Sequence, residues 1–393
     1  MVITRYSKYF ISLLAKGSPF YLLKEIIKDS LNIKNSTSNN EKHISAAINW
    51  ILNAQKATKD GGVSAMYSMY QGWHASYSET TGYIISTMFN YYNKTKDERI
   101  KESVIRMADW ELSKQMQNGA FPGGEKNGKE FPIVFNTGQV TFGMVRAYQE
   151  TKDQKYKKAA IKAADWLVKV QNKNGYWDKS TYLDQNHTYN TRTAWALLRV
   201  HKITKNIKYK KAAIRNIEWA LKQQLPNGWF KNNAFHEKQE PLLHTIAYSI
   251  RGILEVGIYL KNKRYINAAK KSADILLKKQ RKDGSLSGSF DKNWNSSVSW
   301  SCLTGNSQTS IIWLMLHNIT KNKKYIYAAK KINRYMKSIQ NTRSQNSRIK
   351  GAIKGAYPIY GWYAPFCYPN WAAKFFIDSL MLEDNKEIAK KLS

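Results

Sequence analysis

Two kinds of stretch alternate along the chain. In the first, apolar residues recur every three or four positions with lysines between them, as in "IKAADWLVKVQNKNGYW" and "IRNIEWALKQQLPNGWF". In the second, nearly every side is apolar, as in "YNTRTAWALLRV" and "HTIAYSIRGILEV". Both rhythms predict helices. A helix with one lysine face belongs on the outside of a fold, and one that is apolar all round must be enclosed.

The alternation is a repeat. Each lysine-faced helix ends at a Gln, at positions 55, 115, 171, 224, 280 and 340, with intervals of 60, 56, 53, 56 and 60 residues. In most copies a Gly stands four residues later, where a helix end needs left-handed backbone. The sixth copy, "KINRYMKSIQNTRSQ", keeps the Gln and lacks that Gly. Turns such as "YNKTKDERI" and "HKITKNIKYKKAA" start each new outer helix. Six hairpins of this length predict an all-α fold, a closed α/α barrel (toroid) over residues 41–393. An open solenoid is the competing form. Large aromatics on the inner helices favour the closed ring, because they need an enclosed core.

Residues 1–40 form a separate extension. "MVITRYSKYFISLLAKGSPFYLLKEIIKDSLN" reads as two short basic amphipathic helices that pack on the main domain, with contact to an anionic membrane surface as the alternative. Its apolar run is broken by Lys16 and no small-residue cleavage site follows, so it does not read as a signal peptide. No run of eighteen apolar residues predicts a membrane span. Two cysteines, Cys302 and Cys367, read as buried thiols of a reducing compartment. The expected location is therefore cytoplasmic, peripheral at the inner membrane if the extension meets lipid.

The formal net charge is +35. Its first reading is a solvated lysine surface, and its second is a field that draws polyanions. Zinc-finger spacing, ribonucleoprotein motifs and a recognition-helix unit are absent, so nucleic acid ranks last among such polyanions and is not expected as a partner. No metal or cofactor is expected.

A closed ring places every outer-to-inner loop at one end. The segments there are "SYSETTGYI", "VFNTGQVTF", "HTYNTRTAW", "PLLHTIAYS", "CLTGNSQTS" and "CYPNWAAKF". Thr80, Thr191 and Thr245 fit N-caps. Capping does not call for Glu79, His187, Arg192, His244 or Gln308, which point instead to a polar ligand site. Glu79, His187, Tyr189 and His244 are the candidate catalytic residues. Trp73, Asn136, Gln139, Asn190, Arg192, Tyr248, Asn306, Gln308, Asn370, Trp371 and Lys374 are the candidate substrate-binding residues. Six converging helix N-termini favour an anionic or hydroxyl-rich ligand, and interleaved aromatic rings suit a sugar.

"QNKNGYW", with "QMQNGAF" and "QLPNGWF" as near matches, resembles the Gln-Trp repeat of squalene and hopene cyclases. Residues 41–383 thus resemble the α/α toroid superfamily of terpenoid cyclases and prenyltransferases, which implies the fold. A "DxDD" cluster for cyclase chemistry is absent, and Cys302 and Cys367 lack zinc-ligand spacing. The ordered set "GGVSAMYS", "SYSETTGYI", "VFNTGQ", "HTYNTR", "LLHTIAY", "SCLTGNSQ" and "GAIKGAYPIYGWYAPFCYPNWAAKFF" is similar to bacterial toroid proteins found with surface-polysaccharide genes. That resemblance implies a glycan context. By architecture the chain is also similar to uronyl epimerases, unsaturated uronyl hydrolases and polysaccharide lyases.

Glycoside hydrolysis ordinarily needs two facing carboxylates. Glu79 is one candidate, and Asp178, Asp184, Glu240 and Asp291 are loop candidates for the second. Lyase or epimerase chemistry at a uronic acid needs a base and groups that hold negative charge. His187, Tyr189, His244 and Tyr248 are of the right type, with Glu79 orienting one of them or itself acting as base, Arg192 to pair the substrate carboxylate and Asn136 or Asn190 to polarise it. The expected function is action on an acidic surface polysaccharide or its precursor, by uronyl proton abstraction or glycoside hydrolysis. A non-catalytic glycan-binding or assembly role and a terpenoid or lipid cyclase are the alternatives.

Overall fold

The computed structural model describes residues 18–126 and 129–384. Among the described residues there are thirteen α-helices. The first, α1 (Pro19–Ser30), belongs to the extension. The expected helix before it and the last residues of the toroid lie outside the described residues.

The other twelve helices alternate. The outer helices are α2 (Asn40–Thr58), α4 (Glu98–Lys114), α6 (Gln154–Lys169), α8 (Ile207–Lys222), α10 (Lys263–Lys278) and α12 (Lys323–Ile339). The inner helices are α3 (Ser78–Thr95), α5 (Val134–Thr151), α7 (Thr191–Thr204), α9 (Leu243–Tyr259), α11 (Leu303–Thr320) and α13 (Asn370–Asp384). Each inner helix packs on the next, and α13 packs back on α3. The ring is closed, as the repeat predicts. The inner helices are buried over most of their length, while the outer ones bury one stripe.

The repeat Gln is a staple. Gln171 Nε2 donates to Gly175 O at 2.9 Å and to Ala212 O of the next outer helix at 2.9 Å. Gln115 and Gln280 do the same with Gly119 and Ala159, and with Gly284 and Ala328. The sixth Gln closes the circle: Gln340 Nε2 donates to Gly351 O at 2.8 Å and to His43 O of α2 at 3.1 Å. The Gly expected after this Gln is therefore present, but eleven residues on rather than four. Gly175 shows why Gly is needed: its φ is +96°, and a Cβ there would stand 2.3 Å from Arg215 O. The first and last units are also sewn together by an antiparallel pairing of Met66–Ser68 with Cys367–Pro369.

Capping differs from the expectation. The six outer helices are capped by Asn39, Asp97, Asp153, Asn206, Asn262 and Asn322, each accepting from a backbone N–H of its first turn. Thr80, Thr191 and Thr245 do not cap; their hydroxyls donate to Tyr77 O, Ser249 O and Leu242 O. The inner helix starts are enclosed, so their side chains serve other backbone groups instead, one on the neighbouring helix α9 in the case of Thr191. Thr81 and Thr137 likewise hold the N–H groups of Val63 and Phe121. Among the described residues no helix is long and apolar enough to cross a membrane.

Candidate functional site

All six inner helices begin at the same end of the ring, and a cavity of about 570 Å³ opens there. Glu79 reaches it from the first turn of α3, Phe135 and Asn136 from that of α5, and Tyr189 and Asn190 from the short turn Thr188–Asn190 before α7. His244 and Tyr248 come from α9, one helical turn apart on one face. Tyr77, Phe131, Tyr182, Phe235, Trp362 and Tyr363 complete the wall from the loops. The result is an aromatic cup with a few polar groups on its floor, a composition suited to a sugar ring.

Glu79 is the carboxylate in this cup. The Tyr77 hydroxyl donates to its Oε2 at 3.2 Å, and Asn136 Nδ2 donates in turn to the Tyr77 oxygen at 3.1 Å. Burial raises the Glu79 carboxyl to about 7; the Tyr77 hydrogen bond and the Arg192 charge pull the other way and do not offset it. His244 lies over Tyr248, with ring centroids 4.4 Å apart. Its Nδ1 is 2.7 Å from Gln308 Nε2. With the amide nitrogen as donor, Nδ1 accepts and the ring proton sits on Nε2. Burial and the Arg192 charge pull His244 down to about 3, so it is neutral at physiological pH. Burial, with the Glu79 charge adding to it, pushes Tyr77, Tyr189 and Tyr248 well above the ordinary phenol value. The Asn190 amide is buried, and neither of its polar atoms has a partner in the protein.

Arg192 does not line the cup. It lies one layer beneath, 4.8 Å from the centroid of the Tyr248 ring, with Phe142, Trp195 and Phe375 also around it. Its Nε donates to Gln139 Oε1 at 2.9 Å, and Nη1 has no partner. Among the described residues no carboxylate pairs with it. Burial and the nearby Arg251 lower it to about 10. Arg251 pairs with Glu255, and Lys374 pairs with Asp378 at 2.6 Å. The floor therefore rests on buried cations only partly neutralised.

The structure thus gathers Glu79, Asn136, Tyr189, Asn190, His244 and Tyr248 around one hollow. Gln139, Arg192, Gln308 and Lys374 stand behind that layer. Trp371 also supports it from behind, donating to the Tyr363 hydroxyl at 2.8 Å. Three further candidates belong to the loop scaffold. Trp73 packs between Trp50 and Tyr67. Asn306 holds Leu286 and Cys302, and Asn370 joins Ser64 O to Thr80. His187 faces a neighbouring groove of about 820 Å³, with Nε2 against Tyr182 O at 2.8 Å. Asp178, Asp184, Glu240 and Asp291 line that same groove rather than the cup, so none stands across the cavity from Glu79.

Reasoning from inner helix starts missed Tyr182, Phe235 and Tyr363, which come from long loops whose course has no periodic signal. Cys302 is buried, and burial pushes its thiol up to about 12, whereas Cys367 is half-buried rather than enclosed. Among the described residues no three His, Cys, Asp or Glu side chains gather closely enough to hold a metal ion.

A family model described as the β-L-arabinofuranosidase, GH127 catalytic domain, matches residues 27–282. That model describes a glycoside hydrolase, not a squalene or hopene cyclase; the shared Gln-Trp repeat reflects the staple of the fold. No curated protein matches the chain in sequence. Among solved structures, an unsaturated glucuronyl hydrolase from Bacillus sp. GL1 is 15% identical, with a TM-score of 0.71 over 89% of this chain and 98% of that one. An unsaturated glucuronyl hydrolase specific for heparin is 16% identical, with a TM-score of 0.70 and the same coverage. A variant enzyme of that name from Streptococcus agalactiae, complexed with dGlcA-GalNAc6S, is 14% identical, with a TM-score of 0.66 over 88% and 92%. These likenesses establish the α/α toroid.

Proposed function

The chain belongs to the β-L-arabinofuranosidase GH127 catalytic-domain family, and from that premise we propose that the aromatic cup hydrolyses the bond to a terminal sugar, with Glu79 moving the proton. The observation that carries this reading is the protonation pattern of the cup. His244 is held neutral with little proton affinity, and Tyr77, Tyr189 and Tyr248 are held as phenols. Glu79, raised to about 7, is poised to exchange a proton near neutrality. An efficient proton-transfer group has its pKa near the working pH.

In the proposed reaction, the sugar ring lies against Phe135, Tyr189 and Tyr248, and His244 Nε2–H and the Asn190 amide bind its hydroxyls. Glu79 donates its proton to the glycosidic oxygen, the bond from that oxygen to the anomeric carbon breaks, the alcohol leaves, and water adds to that carbon. The carboxylate so formed is held by the Tyr77 hydroxyl and then takes a proton from the attacking water. One carboxyl group performs both transfers, which suits a cavity where the other loop carboxylates lie outside. The same pattern speaks against His244, Tyr189 and Tyr248 as the proton acceptor and leaves that role, in hydrolysis or elimination, to Glu79.

A negatively charged sugar, of the uronyl type, is the substrate class that the electrostatics favour. Arg192, Arg251 and Lys374 lie under the floor with two carboxylates among them, and the first turns of α3, α5 and α9 open onto the cup. A bacterial surface polysaccharide or its precursor is the proposed source of that sugar. A neutral β-L-arabinofuranoside is the second reading, favoured by the family match.

Purified protein incubated with unsaturated glucuronyl disaccharides and with β-L-arabinofuranosides tests the proposal by release of the terminal sugar. Glu79→Gln should lower the rate by about 10²–10⁴-fold. Unchanged release by that variant, or no release from either substrate class by the wild type, overturns it.

A further inference from the structure

We propose that α1 is a docking face for an anionic lipid surface. Its inward side sets Leu22 into the core, with Tyr21 and Ile26 packed partly buried against it, and also carries Glu25 and Asp29, each 3% exposed, whose carboxylates clamp Lys354 Nζ at 2.7 and 2.5 Å. Asp29 also accepts from Ile359 N at 2.7 Å, and Glu25 accepts from Asn341 Nδ2 at 3.0 Å. Its outward side carries Phe20, Leu23, Ile27 and Leu31, spaced three or four apart so that they form one stripe, which Ile33 extends. Phe20 is 71% exposed and Leu31 67%. An ordinary surface helix turns its apolar residues inward and leaves a polar face outside. Here Leu22, buried ion pairs and hydrogen bonds anchor the helix, and a second apolar stripe is left to solvent.

The charges beside the stripe decide what it meets. Lys24, Lys28 and Arg343 line the shallow apolar hollow along it, and Arg348 borders its Phe20 end. Both carboxylates of α1 are turned inward onto Lys354. The face therefore presents hydrocarbon ringed by cations, which is complementary to acyl chains beneath anionic headgroups. A second copy of the chain would set the same cations against one another in a molecule of net charge +35. The α1-bound loop also carries Trp362, which is 58% exposed, to the rim of the cup. Docking through α1 thus holds the cavity end of the toroid near the headgroups. The inference stands on the surface alone and does not depend on the hydrolase reading.

Sedimentation of the full chain with vesicles tests it, using phosphatidylcholine alone and phosphatidylcholine mixed with phosphatidylserine. The wild type should bind the mixed vesicles and not the neutral ones. A Phe20→Ser/Leu23→Ser/Ile27→Ser variant should bind about tenfold more weakly or worse. Lys24→Gln and Lys28→Gln should each cost about fivefold. All these variants should keep the wild-type unfolding transition, so that loss of binding is not loss of fold. Equal binding by the stripe variant, which would mean adhesion through the general lysine surface, overturns the proposal. So does failure of the wild type to bind mixed vesicles while concentration-dependent dimers form through the stripe.

Discussion

The Tyr77 hydroxyl donates to Glu79 Oε2, and Asn136 donates to that hydroxyl. The relay favours the ionised carboxylate and so works against the burial that raises it. Tyr77→Phe removes the hydrogen bond and keeps the ring. Activity that needs protonated Glu79 falls as pH rises through its pKa. The variant should therefore move the alkaline midpoint of the pH–rate profile upward by about 0.5–1. A downward or unchanged midpoint would show that the hydroxyl does not act on Glu79.

Glu79 also links stability to pH. Its carboxyl lies at about 7 in the fold against 4.5 ordinarily. Below 4.5 both folded and unfolded chains hold the proton. As pH rises from there through about 7, the unfolded chain releases it first, and the fold loses stability. Glu79→Gln removes this loss. Chemical denaturation should find the variant about 1–3 kcal/mol more stable than wild type at pH 8 and equal to it at pH 4.

Gln308 fixes His244 from behind the cup. Gln308→Leu frees Nδ1, so the ring can exchange tautomers and turn its unprotonated nitrogen toward the substrate. The expected result is a fall of about 5–30-fold in kcat/KM, the equivalent of about 1–2 kcal/mol, with the Glu79 midpoint unchanged. Gln308→Glu should instead favour the imidazolium and add an acidic limb to the profile.

Ring closure should be worth more than an ordinary link in the ring. Gln340 is fully buried, holds two backbone carbonyls, and its Oε1 lies 2.6 Å from His43 Nδ1. Gln115 holds two carbonyls in mid-ring and is only half-buried. Gln340→Ala should cost about 3–5 kcal/mol in urea unfolding, and Gln115→Ala about 1–3 kcal/mol.

The legible part of this molecule was its repetition. The lysine-faced and all-apolar stretches announced outer and inner helices, and the six glutamines marked the hairpins, because each copy solves the same packing problem. Even so, the sixth unit misled locally: Gly351 takes the expected role after a longer loop. Thr80, Thr191 and Thr245 looked like caps by position, but at buried helix starts their hydroxyls donate to backbone carbonyls instead. Among the site residues, closure alone brought Glu79, His244 and Asn190 together. Closure did not reveal depth, so Arg192 and Lys374, which looked like cavity residues, proved to lie beneath the floor.

The sequence by itself determined the α/α ring and the end where its polar residues collect, because periodicity and helix polarity are local properties. Only the tertiary structure decided which of those residues touch the cup, which stand behind it, and which tie loops together. That decision also set the protonation of Glu79 and His244, since desolvation depends on neighbours far away in the chain. The same holds for α1: its amphipathic pattern was readable, but which face turned outward was settled by Lys354, more than three hundred residues away.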